Sequence, residues 1–400
     1  MKHLVLSLFI ILFACSDKKE TKPSTTHLPN FGNVDLSKVF TQKDSQLPHR
    51  DSVRNILNQY YQKIWQEGNL WGGILVAKGD DILLEQYRGF ARDNQVEPIG
   101  QNTPLHIASV SKTIMAMAVL KLVEAKKIGL EDPVKKFLPK FPYPEVSIKT
   151  LLNHRSGLPK YEHFITEMKL KPKNVFFTNQ EVLDLLIQHQ PPLAKPTDTG
   201  FMYNNLNYAL LALVVERVTK MPFPKAMKTM VFEPLQMKNT FVFQEKDLKN
   251  TSFSFYQKDN KVYPYDEYDL IYGDKNIYTT PRDLFRFSKA MFSSQFLDKN
   301  LMDKAFTPYS NEKKGVNNYG LGFRIKVYDD GKKLTYHNGW WHGSNSVFVH
   351  LPESKITIIA LGNKYSNKVY SAMTLVSLFD NFPYEISGSI NHHLKNLLQK

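Results

Sequence analysis

The chain opens on a short basic start at Lys2 and His3, followed by a mainly apolar run from Leu4 to Ala14. That run is too short to span a bilayer as a stable helix and suits the apolar region of a secretory signal. Directly after Cys15 comes SDKKETKPSTTHLPNFGN, polar and poor in large apolar residues, which reads as a flexible tether. Between Asp51 and Gln66 the apolar residues Val53, Ile56, Leu57, Tyr60, Tyr61 and Ile64 recur at spacings of three and four, which predicts a helix. The period then changes. WGGILVAKG and DILLEQYRGFA are short apolar runs around Gly79 and Asp80, the pattern of a hairpin. Helical spacing returns from Ser109 to Lys127, and helices broken by proline-rich loops continue over about 110–310. YGLGFRIKVY, KLTYHNG, SNSVFVHLP and KITIIALGN then read as strands, with a turn at Asp329, Asp330 and Gly331 and a final helix from Lys368. One sheet made from both ends of the chain around a helical insertion follows, a two-lobed fold of the α/β class in its α+β form. We assign residues 1–14 to a signal peptide, 15–46 to the tether, 47–385 to the folded domain and 386–400 to a polar tail.

Composition narrows the possibilities. The 400 residues are 42% apolar and 22% charged, which excludes a mainly disordered chain. The single cysteine excludes an internal disulfide framework and a cysteine-rich metal site. It lies in Leu12-Phe13-Ala14-Cys15, which resembles a bacterial lipobox, so Cys15 is the expected site of lipidation, and a membrane anchor in the cell envelope the expected location. The net charge is +14, yet Lys and Arg come singly or in pairs, without a basic run or an aromatic RNA-binding signature, so no nucleic-acid partner is expected.

Ser109-Val110-Ser111-Lys112 puts a hydroxyl and an amine on one helix face, the arrangement a serine nucleophile needs beside a group that can take its proton. The spacing alone is weak, because Ser16/Lys19 and Ser310/Lys313 share it. Bland readings stand beside the functional ones: Tyr203 as a core aromatic, Asn205 as a turn residue, His337 as an ordinary strand histidine. The twelve histidines include no His-Glu-x-x-His and no dense His/Asp cluster, so no metal and no cofactor are expected. No Gly-x-Ser-x-Gly elbow is present, which argues against an α/β-hydrolase.

The order of several segments strengthens the serine. HIASVSKT, LLNHRSGLP, Tyr203-Asn204-Asn205, GDKNIYTTPRDL, YGLGF and His337-Asn338-Gly339 together resemble the serine β-lactamase and penicillin-binding-protein family, in its class C β-lactamase, DD-peptidase and esterase branch. The resemblance covers about residues 50–365. It implies a β-lactamase/transpeptidase-like fold with an antiparallel sheet flanked by helices and an all-helical lobe. It implies an acyl-enzyme on Ser109, formed from an amide or ester in a small molecule or peptide, with Lys112 and Tyr203 sharing the proton transfers. Which of the two is the acylation base stays open. A phenol holds its proton near neutral pH, so Tyr203 as a base would need positive charge beside it, for which Lys112 is the source. Asn205 would bond Lys112 or a substrate amide, and the backbone N–H groups of Ser109 and Trp340 would form the oxyanion hole. Gly339 would keep the strand clear for substrate.

Two departures bear on substrate. His337 stands where many members carry lysine, and its expected partial charge predicts weakened, pH-dependent capture of a carboxylate; Asn338 replaces the usual threonine. Trp340 and Trp341 would line or prop the adjoining edge, where they either favour an apolar acyl group or merely pack, while His154 reads as structural within its loop. The alternatives are an esterase of the same fold and a non-catalytic envelope protein that binds or senses.

Overall fold

The computed structural model describes residue 28 and residues 30–40, 47–249 and 251–386. The expected signal peptide, the candidate lipidation site Cys15, much of the expected tether and residues 387–400 lie outside the described residues. Residues 31–400 make one unit and residues 1–30 another.

Among the described residues the large sheet has seven strands: β1 (Gly72–Lys78), β2 (Asp81–Arg88), β6 (Asn317–Tyr319), β7 (Arg324–Val327), β8 (Lys333–Trp341), β9 (Ser344–Leu351) and β10 (Ile356–Gly362). Their order is β2-β1-β10-β9-β8-β7-β6, and every pairing is antiparallel. Both chain ends therefore contribute to it, as the pattern predicts. β9 and β10 are buried along their whole length, which is why they read as continuous apolar runs instead of alternating ones. A second sheet joins β3 (Leu105–His106), β5 (Ile277–Thr279) and β4 (Phe241–Val242).

Among the described residues the α-helices are α1 (Arg50–Tyr60), α2 (Ser111–Glu124), α3 (Ile148–Leu152), α4 (Tyr161–Glu167), α5 (Asn179–His189), α6 (Asn205–Thr219), α7 (Phe223–Met227), α8 (Pro281–Met291) and α9 (Lys299–Ala305). On one face of the large sheet, Val53, Ile56 and Leu57 of α1 and Leu375 of the C-terminal helical segment close a core over Ile74, Val76, Val349 and Ile358. The other face carries α8. Helix α2 is apolar around most of its circumference and buried nearly throughout, so it forms the centre of the helical part.

Three details differ from the pattern. The predicted helix over 51–66 is α-helical only to Tyr60, after which Tyr61–Gln66 continues as a wider π-turn. The final helix is wound tightly, in the 3-10 form, over Asn367–Leu378. The tether expectation fails at residues 31–40: Val34, Leu36 and Phe40 are buried, Val34 donates to the Pro234 carbonyl at 3.0 Å, and Phe40 meets Phe292. Three apolar side chains are enough to dock this stretch, although they are too few to stand out as a period.

Candidate active site

Ser109 sits in the tight turn Ala108–Val110 that leads into α2. Ala108 holds φ at 46°, a left-handed conformation that costs an alanine energy and that the surroundings must enforce. They do so from two sides. Ile107 donates to the Ile277 carbonyl at 3.1 Å, and the Ile277 N–H bonds Ser111 Oγ at 3.2 Å, tying the turn to β5. From the other side β8 closes on it: a Cβ built on Gly339 would stand 2.4 Å from the Ile107 oxygen and 3.0 Å from the Ser109 nitrogen. Glycine at 339 is therefore required by the turn that carries Ser109, a nearer neighbour than the substrate the sequence suggested.

Lys112, one helical turn on, is fully buried. Its Nζ lies 3.1 Å from Ser109 Oγ, 2.9 Å from Asn205 Oδ1 and 2.6 Å from the Asp274 carbonyl oxygen. Asn205 opens α6, whose N-cap is Asn204; the Asn204 side chain accepts from Leu206 N–H and donates to the Leu158 and Pro159 carbonyls. Asp274 comes just ahead of β5, so the small sheet delivers that carbonyl to the amine.

The Tyr203 ring lies beneath two cations, with Lys112 Nζ 5.0 Å and Arg324 Cζ 4.9 Å from its centroid. Its hydroxyl is buried and has no hydrogen-bond partner among the described residues. The His154 ring packs 4.3 Å away. His154 is wholly buried, and its Nδ1 lies 3.2 Å from both Asn204 N and Asn207 Nδ2, so Nδ1 accepts and the ring is uncharged. Burial holds its pKa well below the usual histidine range, helped by Lys112, His337 and Arg324. More than a loop residue, it is the packing partner of Tyr203.

His337 overturns its expectation. It is fully buried and does not line the cleft. Its Nδ1–H donates to the Asn338 carbonyl at 2.8 Å and its Nε2 takes the Tyr319 hydroxyl at 3.1 Å. Burial first, then Arg324 and Lys112, push its pKa well below 6.5, so it is neutral near pH 7 and offers no partial charge to a substrate. The cation that faces the cleft is Arg324 on β7, which the sequence reading missed. Alternation along the YGLGF-R-I-K strand was the available signal, but the facing register is invisible in one sequence.

The cleft has a volume of about 530 Å³. Ser109, Tyr203, Asn205, Asn338, Gly339 and Trp340 all line it, together with Arg324, Asp266, Tyr263 and Trp341. Lys112 lies below its floor. Trp340 is 63% exposed, with its indole N–H donated to the His342 carbonyl at 3.0 Å. One group among the described residues has the composition of a metal site, Asp266, Asp269 and His342, with ligand atoms within 4.8 Å of one another. Asp269 already accepts from Trp341 Nε1 at 2.6 Å and from His342 Nε2 at 2.9 Å, which braces the β8–β9 turn.

Fold and site together define a class: an antiparallel sheet and a buried helix that bring a Ser-x-x-Lys, a Tyr-x-Asn and a His-x-Gly strand into one cleft. The chain belongs to the Beta-lactamase family, whose profile matches residues 57–376. It is 27% identical over 341 residues to penicillin-binding protein 4* of Bacillus subtilis (strain 168), covering 82% of this chain and 75% of the relative. A penicillin-binding protein from Bacillus halodurans superposes with a TM-score of 0.69 at 26% identity, over 83% of this chain and 99% of the other. The D-amino acid amidase of Ochrobactrum anthropi SV3 shares the fold, with a TM-score of 0.65 at 21% identity over 87% and 99% of the two chains. The protein is thus a member of a β-lactamase-fold hydrolase family.

Proposed function

We propose that the protein is an exported serine hydrolase that forms an acyl-enzyme through Ser109 on amide or ester substrates bearing a carboxylate. The observation that carries this reading is the three-way bonding of the buried Lys112 amine. At rest the amine donates in all three contacts; once it has given up one proton to solvent it has two N–H donors and one lone pair. The fixed acceptors Asn205 Oδ1 and Asp274 O claim the donors, which leaves the lone pair toward Ser109 Oγ at 3.1 Å. Lys112 then takes the serine proton as Oγ attacks the carbonyl carbon. The backbone N–H groups of Ser109 and Trp340 receive the oxyanion, and collapse expels the leaving group. Tyr203, whose hydroxyl has no partner in the resting site, passes the proton to the leaving amine or alkoxide. In the second half water attacks the ester carbonyl and gives a proton to the uncharged Lys112 amine, then the carbon–Oγ bond breaks as Ser109 takes that proton back and the acid product leaves.

Arg324, at the cleft wall, supports recognition of a carboxylate such as a peptide C-terminus. The penicillin-binding and amidase names of the similar proteins support an amide. Export and anchoring rest on the apolar run and on Cys15; loss of fatty-acid labelling in Cys15→Ser tests them.

The acylation test is covalent. Wild type and Ser109→Ala are exposed to a labelled penicillin and to a fluorophosphonate, and intact mass is measured. An adduct on the wild type that disappears in the variant is expected. No adduct with either reagent would sink the enzymatic reading in favour of a binding protein. A panel of a chromogenic cephalosporin, a D-Ala-D-Ala peptide, D-amino-acid amides and nitrophenyl esters then ranks the substrates.

A further inference from the structure

We infer that Tyr161 and Glu162, adjacent on α4, are positioning residues that aim the Lys112 amine at Ser109. The inference rests on the acylation reading above. Neither residue lines the cleft, so each acts through another. Glu162 Oε1 accepts from Asn205 Nδ2 at 2.7 Å. A carboxylate only accepts, so it selects the donor end of the Asn205 amide and turns Oδ1 toward Lys112, 2.9 Å away. The reversed amide would set NH2 against the amine, donor against donor. Glu162 Oε2 is buried and has no partner among the described residues, so the bond to Asn205 is the one this carboxylate shows there.

Tyr161 does the same for the second acceptor. Its hydroxyl donates to Asp274 Oδ2 at 3.0 Å and accepts from Lys275 Nζ at 2.9 Å. Asp274 is fully buried and Lys275 is 3% exposed. This triad pins the residue whose carbonyl takes Lys112 Nζ at 2.6 Å. Two consecutive side chains of one short helix thus fix both acceptors that leave the amine a single direction, toward the serine.

The test compares Glu162→Ala, Glu162→Gln and Tyr161→Phe with wild type in the rate of Ser109 labelling by the penicillin and the fluorophosphonate, with kcat, KM and melting temperature alongside. Glu162→Ala is expected to slow acylation about tenfold or more, with KM unchanged, as loss of a bond to a charged group predicts. Glu162→Gln retains an acceptor for Asn205 Nδ2 and should recover to within about threefold of wild type. Wild-type labelling rates in Glu162→Ala, or a glutamine variant as slow as the alanine one, would overturn the role of Glu162. Tyr161→Phe removes only a hydroxyl and keeps the ring, so it carries the test should Glu162→Ala not fold; it is expected to slow acylation several-fold, and a wild-type rate there overturns the inference. Absence of any adduct on wild-type Ser109 is a different failure, that of the acylation reading itself.

Discussion

Gly339→Ala perturbs the site by one methyl group, and the structure fixes how far its effect must travel. The new Cβ would stand 2.3 Å from Ser346 Oγ, 2.4 Å from the Ile107 oxygen and 3.0 Å from the Ser109 nitrogen. Ser346 can rotate away, but only by giving up the 2.6 Å bond it donates to the Ile107 carbonyl. Ile107 O is backbone and cannot rotate. Ordinary contact begins near 3.4 Å, so the turn and β8 must part by about 1 Å. The turn carries the nucleophile, and a misplacement of that size costs about 10²-fold in rate. Overpacking adds about 1–3 kcal/mol of destabilisation, which a domain of this size tolerates. The expected variant is therefore folded, slightly less stable, and about a hundredfold slower to label at Ser109 with the fluorophosphonate. Ser346→Ala in the same background relieves one contact and leaves the backbone one, so it should not restore the rate. Labelling of Gly339→Ala within threefold of wild type, or full rescue by Ser346→Ala, would refute the claim that the strand and the nucleophile turn are pressed together.

Arg324→Gln is expected to weaken substrates that carry a carboxylate about tenfold or more in kcat/KM while neutral nitrophenyl esters change little; equal losses on both would remove Arg324 from carboxylate recognition. Since His337 is held neutral, KM for a carboxylate substrate should stay flat between about pH 6 and 8.5, and a rise following a histidine midpoint would return charge to that ring. His106 and His350 are depressed to about 3 by burial, and His154 and His337 lie well below 6.5. The unfolded chain therefore binds protons below about pH 6.5 that the folded one refuses. Stability is full above that pH and falls as pH drops toward 3, by about 1.4 kcal/mol per unit for each histidine fully titrating in the unfolded state alone. Urea unfolding at pH 7.5 and 5.5 checks this, and equal midpoints would contradict it.

How much was legible depends on whether a residue's role is local. β1, β9 and β10 are short apolar runs between turn signals because both their faces are covered, and α1 shows its stripe because only one face is. Ser109, Lys112, Tyr203 and Asn205 were singled out by the order of their segments, and the fold brings Ser109, Tyr203 and Asn205 to one cleft with Lys112 buried against Ser109. Arg324 was read only as part of a strand. Its importance comes from the pairing of Arg324 with Tyr336, which sets it next to His337 on the neighbouring strand, and no local pattern encodes that register. Tyr161 and Glu162 lie more than forty residues from Asn205 and more than a hundred from Asp274, and their meaning exists only in those contacts. His337 was misjudged for the opposite reason. The strand was right, but the imidazole's charge depends on burial by Tyr319 and on cations from two other elements.

That misjudgement points to how charge is arranged around the nucleophile. Lys112 and Arg324 already flank the Tyr203 ring, one from below the floor and one from the wall. Both also act on His337 and push it toward neutrality. A lysine at 337, which has no carboxylate in hydrogen-bond contact among the described residues, would add a third cation to the same low-dielectric space, where like charges a few ångströms apart repel by several kcal/mol. A neutral imidazole that donates to Asn338 and accepts from Tyr319 avoids the repulsion and satisfies both its nitrogens. The positive charge is thus carried by β7 instead of β8. With His337 neutral, the cation at the cleft wall is Arg324 on the neighbouring strand.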